Sequence, residues 1–272
     1  MLGKRVVTAL VLLAVILPTL LLFPPIAWSV LTLAFVVVGS SEWLTLCALP
    51  RLAWPVSLLL GLVGAGWLAI GAPVSPMFEI AILALAVAFW VFVAPAWLAR
   101  VGPSRWAAWI GPVLLAACWL ALQRLRLEGV PALLAAMAIV WVADVGAYFV
   151  GKGFGRRRLA PRVSPGKTIE GALGGMVLVV ILGLTVAAAP SLDRSLMALL
   201  VTGVGPWFAA IALCVIVALS VVGDLVESLV KRHAGAKDSG WILPGHGGVL
   251  DRIDALLPTM PLIALLHIWM SS

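Results

Sequence analysis

Charge is scarce in this chain. Only 11% of its 272 residues are Asp, Glu, Lys or Arg, while 64% are hydrophobic and the mean hydropathy is +1.19. Soluble domains carry about a quarter charged residues, so a soluble globular fold is excluded and an integral membrane protein is indicated. Acids are scarcer still early on: before Asp144 there are only Glu42, Glu79 and Glu128. That half reads as scaffold; Glu42, near the inner end of the second span, could line a cavity, but snorkelling at the interface is the better reading. Cysteine is limited to Cys47, Cys118 and Cys214, each inside an apolar run, without a C-x-x-C pair or a His at ligand spacing. Small buried hydrophobes are the favoured reading, over a disulfide framework or a thiolate metal site. No two His stand at zinc-ligand spacing. The net charge of +7 raises nucleic acid as a partner, but the basic residues lie in short loops between apolar runs. Positive-inside topology and anionic headgroups or nucleotide phosphates account for them, and no nucleic-acid partner is expected.

What is abundant is long apolar segments. They predict an all-α polytopic bundle of nine transmembrane helices, roughly 5–23, 26–48, 53–71, 78–99, 106–122, 131–150, 170–189, 207–227 and 255–270. Lys4 and Arg5 before an apolar run imitate a signal peptide, yet no A-x-A site follows, so an uncleaved first span is expected. Trp28, Trp54, Trp97, Trp106, Trp207 and Trp269 fall near predicted ends, as an interfacial belt requires. With the N-terminus inside, all Lys and Arg except Arg124, Arg126 and Arg194 fall on the inner side, Arg105 among them. That bias predicts an N-in/C-out topology with the polar loops 151–169 and 228–254 both facing the cytoplasm. Residues 1–130 (five spans) form the expected scaffold and 131–272 (four spans) the expected catalytic region.

The second half changes character at Asp144. Asp144, Tyr148 (the single Tyr) and Lys152 share one helical face running toward the cytoplasm. An intramembrane acid is a functional candidate by default, against the blander reading of a helix–helix hydrogen bond. The loop GKGFGRRRLAPRVSPGKT is Gly-rich and basic, which suits phosphate. For Arg156, Arg157 and Arg158 an ordinary inner-side loop is the better reading. Ser164, Lys167 and Thr168 stand in SPGKT, which imitates part of a P-loop, but Pro161 occupies the position of its first Gly and no strand is expected before it. Lys167 and Thr168 precede a helix start, a favourable place for an anion.

The densest polar stretch is 223–254, GDLVESLVKRHAGAKDSGWILPGHGGVLDRID. Asp224, Glu227, Ser228 and Lys231 occupy i, i+3, i+4 and i+7, one polar face of a helix leaving the membrane. After a Gly-rich turn, Asp251 and Asp254 stand i, i+3 at the start of the last span. Converging carboxylates suit Mg²⁺ with substrate phosphate completing its shell. Unrelated surface charge is a weak alternative, because the acids recur in helical register at membrane depth.

Ser228-x-x-Lys231-Arg232-x4-Lys237-Asp238-x-Gly240-x-x-Leu243-Pro244-Gly245-His246-Gly247-Gly248-x-x-Asp251-Arg252-x-Asp254 resembles the signature of the phosphatidate cytidylyltransferase (CDP-diacylglycerol synthase) family. Asp144 to Tyr148 and SPGKT resemble its other polar segments, in the same order. The likeness is specific over about 144–254 and departs at Gly166, where Lys is expected. It implies transfer of a cytidylyl group from CTP to phosphatidic acid, with Mg²⁺ and, for some members, a second, monovalent cation. It also implies a multi-pass protein of a bacterial inner membrane, with its site on the cytoplasmic side and membrane lipids as partners. A homodimer is carried as an expectation of assembly.

By position, Asp224 and Asp251 become cation ligands with Asp254 and Glu227 beside them, while Asp144, Tyr148, Ser164, Lys167 and Thr168 line the nucleotide pocket. Lys167 and Arg252 join Asp224 and Asp251 as catalytic candidates, and Lys231, Arg232, Lys237, Asp238 and His246 as substrate contacts. The chemistry agrees. A phosphate monoester with a second pKa of about 6 is already ionised and needs no strong general base. Cations are needed to screen two anions from one another. The alternatives are a CTP-dependent polyprenol kinase and, more distantly, a secondary transporter, for which no matching acid pattern appears in the first half.

Overall fold

The computed structural model describes residues 2–71, 73–104 and 106–271; Arg105 and the side chains of Lys4 and Arg5, counted above on the inner side, lie outside the described residues. Helices cover the expected apolar runs. These are α1 Leu2–Leu21, α2 Pro25–Leu46, α3 Pro50–Ile70, α4 Pro76–Arg100, α5 Ala107–Leu127, α6 Val130–Phe154, α7 Ile169–Ala187, α9 Pro206–His233 and α10 Leu250–Ser271. Eight of the described helices are long and apolar enough to cross a bilayer, and α1 adds a shorter apolar stretch, Val6–Leu21.

Proline sets many of the boundaries. It stands in the first two positions of α2, α3, α4, α6 and α9, where its missing N–H is no loss. Pro95, inside α4, cannot donate to the preceding turn, and the helix widens into a π-turn over Phe89–Val93 just before it.

Three features were not expected from the sequence. A short helix, α8 Leu196–Gly203, capped by Ser195 Oγ accepting from Ala198 N–H, fills the connection between α7 and α9. Two strands, β1 Arg158–Ala160 and β2 Ser164–Thr168, pair antiparallel where a plain loop was expected, so the fold is helical with one small hairpin. Pro161, Pro165 and Gly166 hid it, because those residues argue against strands. Trp28 and Trp97 are also buried among the helices and not part of an interfacial belt, whereas Trp54, Trp106, Trp207 and Trp269 are exposed.

The last helix, α10, is the hub. It packs on α4 and α5 from the first half and on α8 and α9 from the second, so both halves share one core. Apolar side chains such as Leu59, Leu62 and Val63 on α3 point outward, a surface suited to lipid. The three cysteines are free.

The most extensively packed helix pair is α6 and α7, joined along a seam of small residues. A Cβ on Gly175 would stand 2.7 Å from the Ala143 carbonyl oxygen, and one on Gly171 2.7 Å from that of Ala147. Small residues let backbones approach in this way where no hydrophobic force drives helices together. Gly175→Val should therefore cost about 1–3 kcal/mol, seen as a lower thermal midpoint in detergent. Gly153→Ala, where an added carbon meets nothing within 4 Å, should leave the midpoint unchanged. Equal midpoints for the two variants would contradict the seam.

Candidate active site

The α6–α7 seam and the hairpin between its helices build one wall of a cavity of about 770 Å³; α9 and the start of α10 build the other. The hairpin is tied down at three points. Glu170 on α7 accepts the N–H groups of Arg156 (3.0 Å) and Arg157 (3.1 Å), and Val163 is buried beneath the turn. Thr168, buried at the end of β2, caps α7 by accepting from Gly171 N–H at 3.1 Å. Gly151 and Gly155, which line the cavity, also leave room for this threonine.

Most of the expected site residues meet here. Asp144, Tyr148, Ser164, Lys167, Thr168, Asp224, Asp251, Arg252 and Asp254 all line the cavity, so the two polar loops converge. Lys152 and Arg158 line it too. Arg158 was set aside as an ordinary loop cation, and only its pairing with Thr168 across the hairpin reveals it. Lys152 lies over the Tyr148 ring, 5.8 Å from its centroid.

Other expected contacts do not reach the cavity. Arg232 reaches back to the Ala236 carbonyl at 3.4 Å, and Lys237 and Asp238 are exposed on the following loop. His246 belongs to a tight turn, its N–H donating to Leu243 O (2.8 Å) and its own carbonyl accepting from Arg252 Nη2 at 3.0 Å. Arg232 stands in the last turn of α9, and Lys237, Asp238 and His246 on the Gly-rich turn that follows, all outside the lining of this cavity. Lys231 stands behind the wall, bridging Glu227 (2.5 Å) and Asp251 (2.6 Å).

The acids divide into two groups. Asp224, Glu227 and Asp254 each bring one carboxylate oxygen to within 4.8 Å of the others. Gly223 permits this, since a Cβ there would stand 2.6 Å from the Asp254 carbonyl oxygen and hold α10 away. Asp224 also pairs with Lys167 at 2.5 Å and accepts from Ser228 Oγ at 3.3 Å. Asp251 stands apart from this group. Its Oδ2 accepts from Ser239 N–H and Gly248 N–H, both at 2.8 Å, and its Oδ1 accepts from Lys231. Asp251, expected with Asp224 as a cation ligand, is held by these protein donors, while Asp224, Glu227 and Asp254 are the acids whose oxygens converge.

That trio has the chemistry of a hard-cation site, all carboxylate oxygen beside a polar cavity. Glu227 Oε1 is buried and has no hydrogen-bond partner among the described residues. A buried carboxylate oxygen left so is costly unless a cation faces it, and the residues present fit Mg²⁺ on this ground.

A second, apolar cavity of about 600 Å³ adjoins the polar one. It is lined by residues including Leu98, Met176, Ala218, Val222 and Leu225, and shares Leu159, Ala172 and Val221 with it.

A polytopic helical bundle with an acid-and-cation cavity opening beside an apolar one is the architecture of a membrane enzyme handling an amphiphile. The profile of the cytidylyltransferase family matches residues 3–269, nearly the whole chain. The chain belongs to the cytidylyltransferase family, and is accordingly an enzyme of the nucleotidyltransferase class. It is 38% identical to the phosphatidate cytidylyltransferase of Pseudomonas aeruginosa over 98% of its own length and 97% of that protein's. Identity to the Haemophilus influenzae phosphatidate cytidylyltransferase is 34%, over 96% of each chain. The phosphatidate cytidylyltransferase of Brucella suis is 46% identical over 47% of this chain and 43% of its own.

Glu170→Ala removes the acceptor that pins the start of the hairpin. Amide exchange should accelerate from Arg156 to Thr168 while that of α9 stays unchanged, a local opening. Unchanged exchange in the hairpin would show that Glu170 does not hold it.

Proposed function

We propose that this enzyme transfers the cytidylyl group of CTP to phosphatidic acid, releasing pyrophosphate and forming CDP-diacylglycerol. The observation that carries this reading is the pair of adjoining cavities, polar and apolar, sharing Leu159, Ala172 and Val221. An acceptor with a phosphate head and acyl tails matches both at once. The proposal includes nine spans, with the N-terminus inside and the C-terminus outside, in a bacterial cytoplasmic membrane. The cavity then opens to the cytoplasm, where CTP is found.

In the reaction an oxygen of the lipid phosphate attacks the α-phosphorus of CTP. The bond to the β-phosphate oxygen breaks, and the electron pair leaves with pyrophosphate. The nucleophile is already an anion, so the site need not remove a proton from it. Its task is to hold two anions together. Lys152, Arg158, Lys167 and Arg252 line the polar cavity and supply positive charge there. The ion pair with Asp224 orients Lys167, and Glu170 and Thr168 hold the hairpin that carries it. Asp224, Glu227 and Asp254 would hold Mg²⁺, which neutralises charge on the triphosphate and the leaving pyrophosphate when bound.

Detergent-solubilised protein given phosphatidate and α-labelled CTP should move label into lipid, with γ-label released as pyrophosphate. Label reaching lipid from the γ-phosphate would instead mean a kinase and overturn the reading. Lys167→Ala and Asp254→Asn should each lower the rate by about 10²-fold or more while the proteins still fold. A near wild-type rate for either would remove that residue from the site.

A further inference from the structure

The N-terminal half supplies one carboxylate whose place the sequence does not reveal. Glu42, on α2, was expected to snorkel at the interface, yet it is only 5% exposed. Its Oε1 accepts from Val249 N–H at 3.0 Å and its Oε2 from Leu250 N–H at 2.8 Å, the start of α10. Ser239 Oγ lies 3.0 Å from the same Oε2. A Cβ on Gly240 or Gly248 would run into this carboxylate, so the 239–250 segment is moulded around it. Among the described residues no Lys or Arg forms an ion pair with Glu42. A buried anion is a costly way to join two helices.

The contacts do not stop at Ser239. Its hydroxyl stands 2.9 Å from Asp251 Oδ2, between two carboxylates, with one hydrogen to give. Asp251 Oδ1 takes Lys231 Nζ at 2.6 Å, and Lys231 takes Glu227 Oε2 at 2.5 Å. One polar chain therefore runs from α2, through the loop and α10, to the carboxylate whose other oxygen is unpartnered.

We propose that Glu42 is a positioning residue for the Asp224, Glu227 and Asp254 group. By fixing Ser239 and the start of α10 it sets Asp251, which holds Lys231, which in turn presents Glu227. The scaffold half thus contributes to the site through one side chain. This rests on the reading of that trio as a cation site. Residues behind a metal's ligands commonly alter its affinity by about 10–100-fold when replaced.

Mn²⁺ is the probe, its binding to the purified full chain measured by electron paramagnetic resonance without CTP or lipid, with thermal midpoints in parallel. Glu42→Gln keeps the size but offers one acceptor oxygen in place of two, setting an amide against the N–H groups of α10. It should raise the Mn²⁺ Kd about tenfold in folded protein, and Glu42→Asp should fall between it and wild type. A lowered midpoint with an unchanged Kd in the folded fraction would make Glu42 merely structural and overturn the proposal. Should Glu42→Gln fail to fold, Ser239→Ala carries the test, since it removes only the linking hydroxyl. An unchanged Kd there overturns the proposal equally. Wild-type protein that binds no Mn²⁺ would overturn the cation reading itself, and this inference with it, a result visible before any variant is made.

Discussion

Burying carboxylates inside an apolar helical bundle is the constraint on which the rest of this structure turns. Each acid must find donors or cations, and the architecture assigns them differently. Glu42 takes the N–H groups at the start of α10, and Asp251 takes Lys231 with two backbone N–H groups. Asp224 has Lys167 and Ser228. Asp254 has the Ala255 N–H at 2.8 Å, and Glu227 has Lys231 on one oxygen only. The compensation is thus most complete at Glu42 and Asp251, and least complete where three carboxylates converge beside the cavity. Such a gradient is expected when some acids organise a site and others hold a ligand.

That arrangement depends on close helix approach in two places. The α6–α7 seam sets the hairpin over the cavity, and with it Lys167 and Arg158. Gly223 lets α10 come near enough to α9 for Asp254 to join Asp224 and Glu227. Packing and chemistry therefore share residues, since the glycines that join the helices decide which charges meet. The adjoining apolar cavity gives the same wall a second face, which the proposed reaction would use for the acyl tails of its acceptor.

The sequence showed the helical bundle and the polar stretches clearly, because apolar runs and the i, i+3, i+4 spacing of Asp224, Glu227 and Ser228 are local signals. The convergence of Asp144 and SPGKT on residues 224–254 followed from topology and family likeness together. What remained hidden was non-local. Glu42 reads as an isolated acid near a span end until the start of α10, more than two hundred residues on, is seen beside it. Arg158 reads as one of three loop arginines until β1 pairs with β2. The surroundings of Asp251 were hidden for a related reason: spacing puts Asp251 and Glu227 on suitable helix faces, but the Ser239 and Gly248 donors to Asp251 come from a loop. Tryptophan position along the chain likewise does not reveal which way a side chain points, and Trp28 and Trp97 point inward.

The most direct test is a structure of the protein with Mn²⁺ and a non-hydrolysable CTP analogue, read by anomalous scattering. A peak among Asp224, Glu227 and Asp254, with the triphosphate against Lys167, is the expected result. A peak held by Asp251 and Asp144 with the trio empty, or a triphosphate bound away from the hairpin, would contradict it.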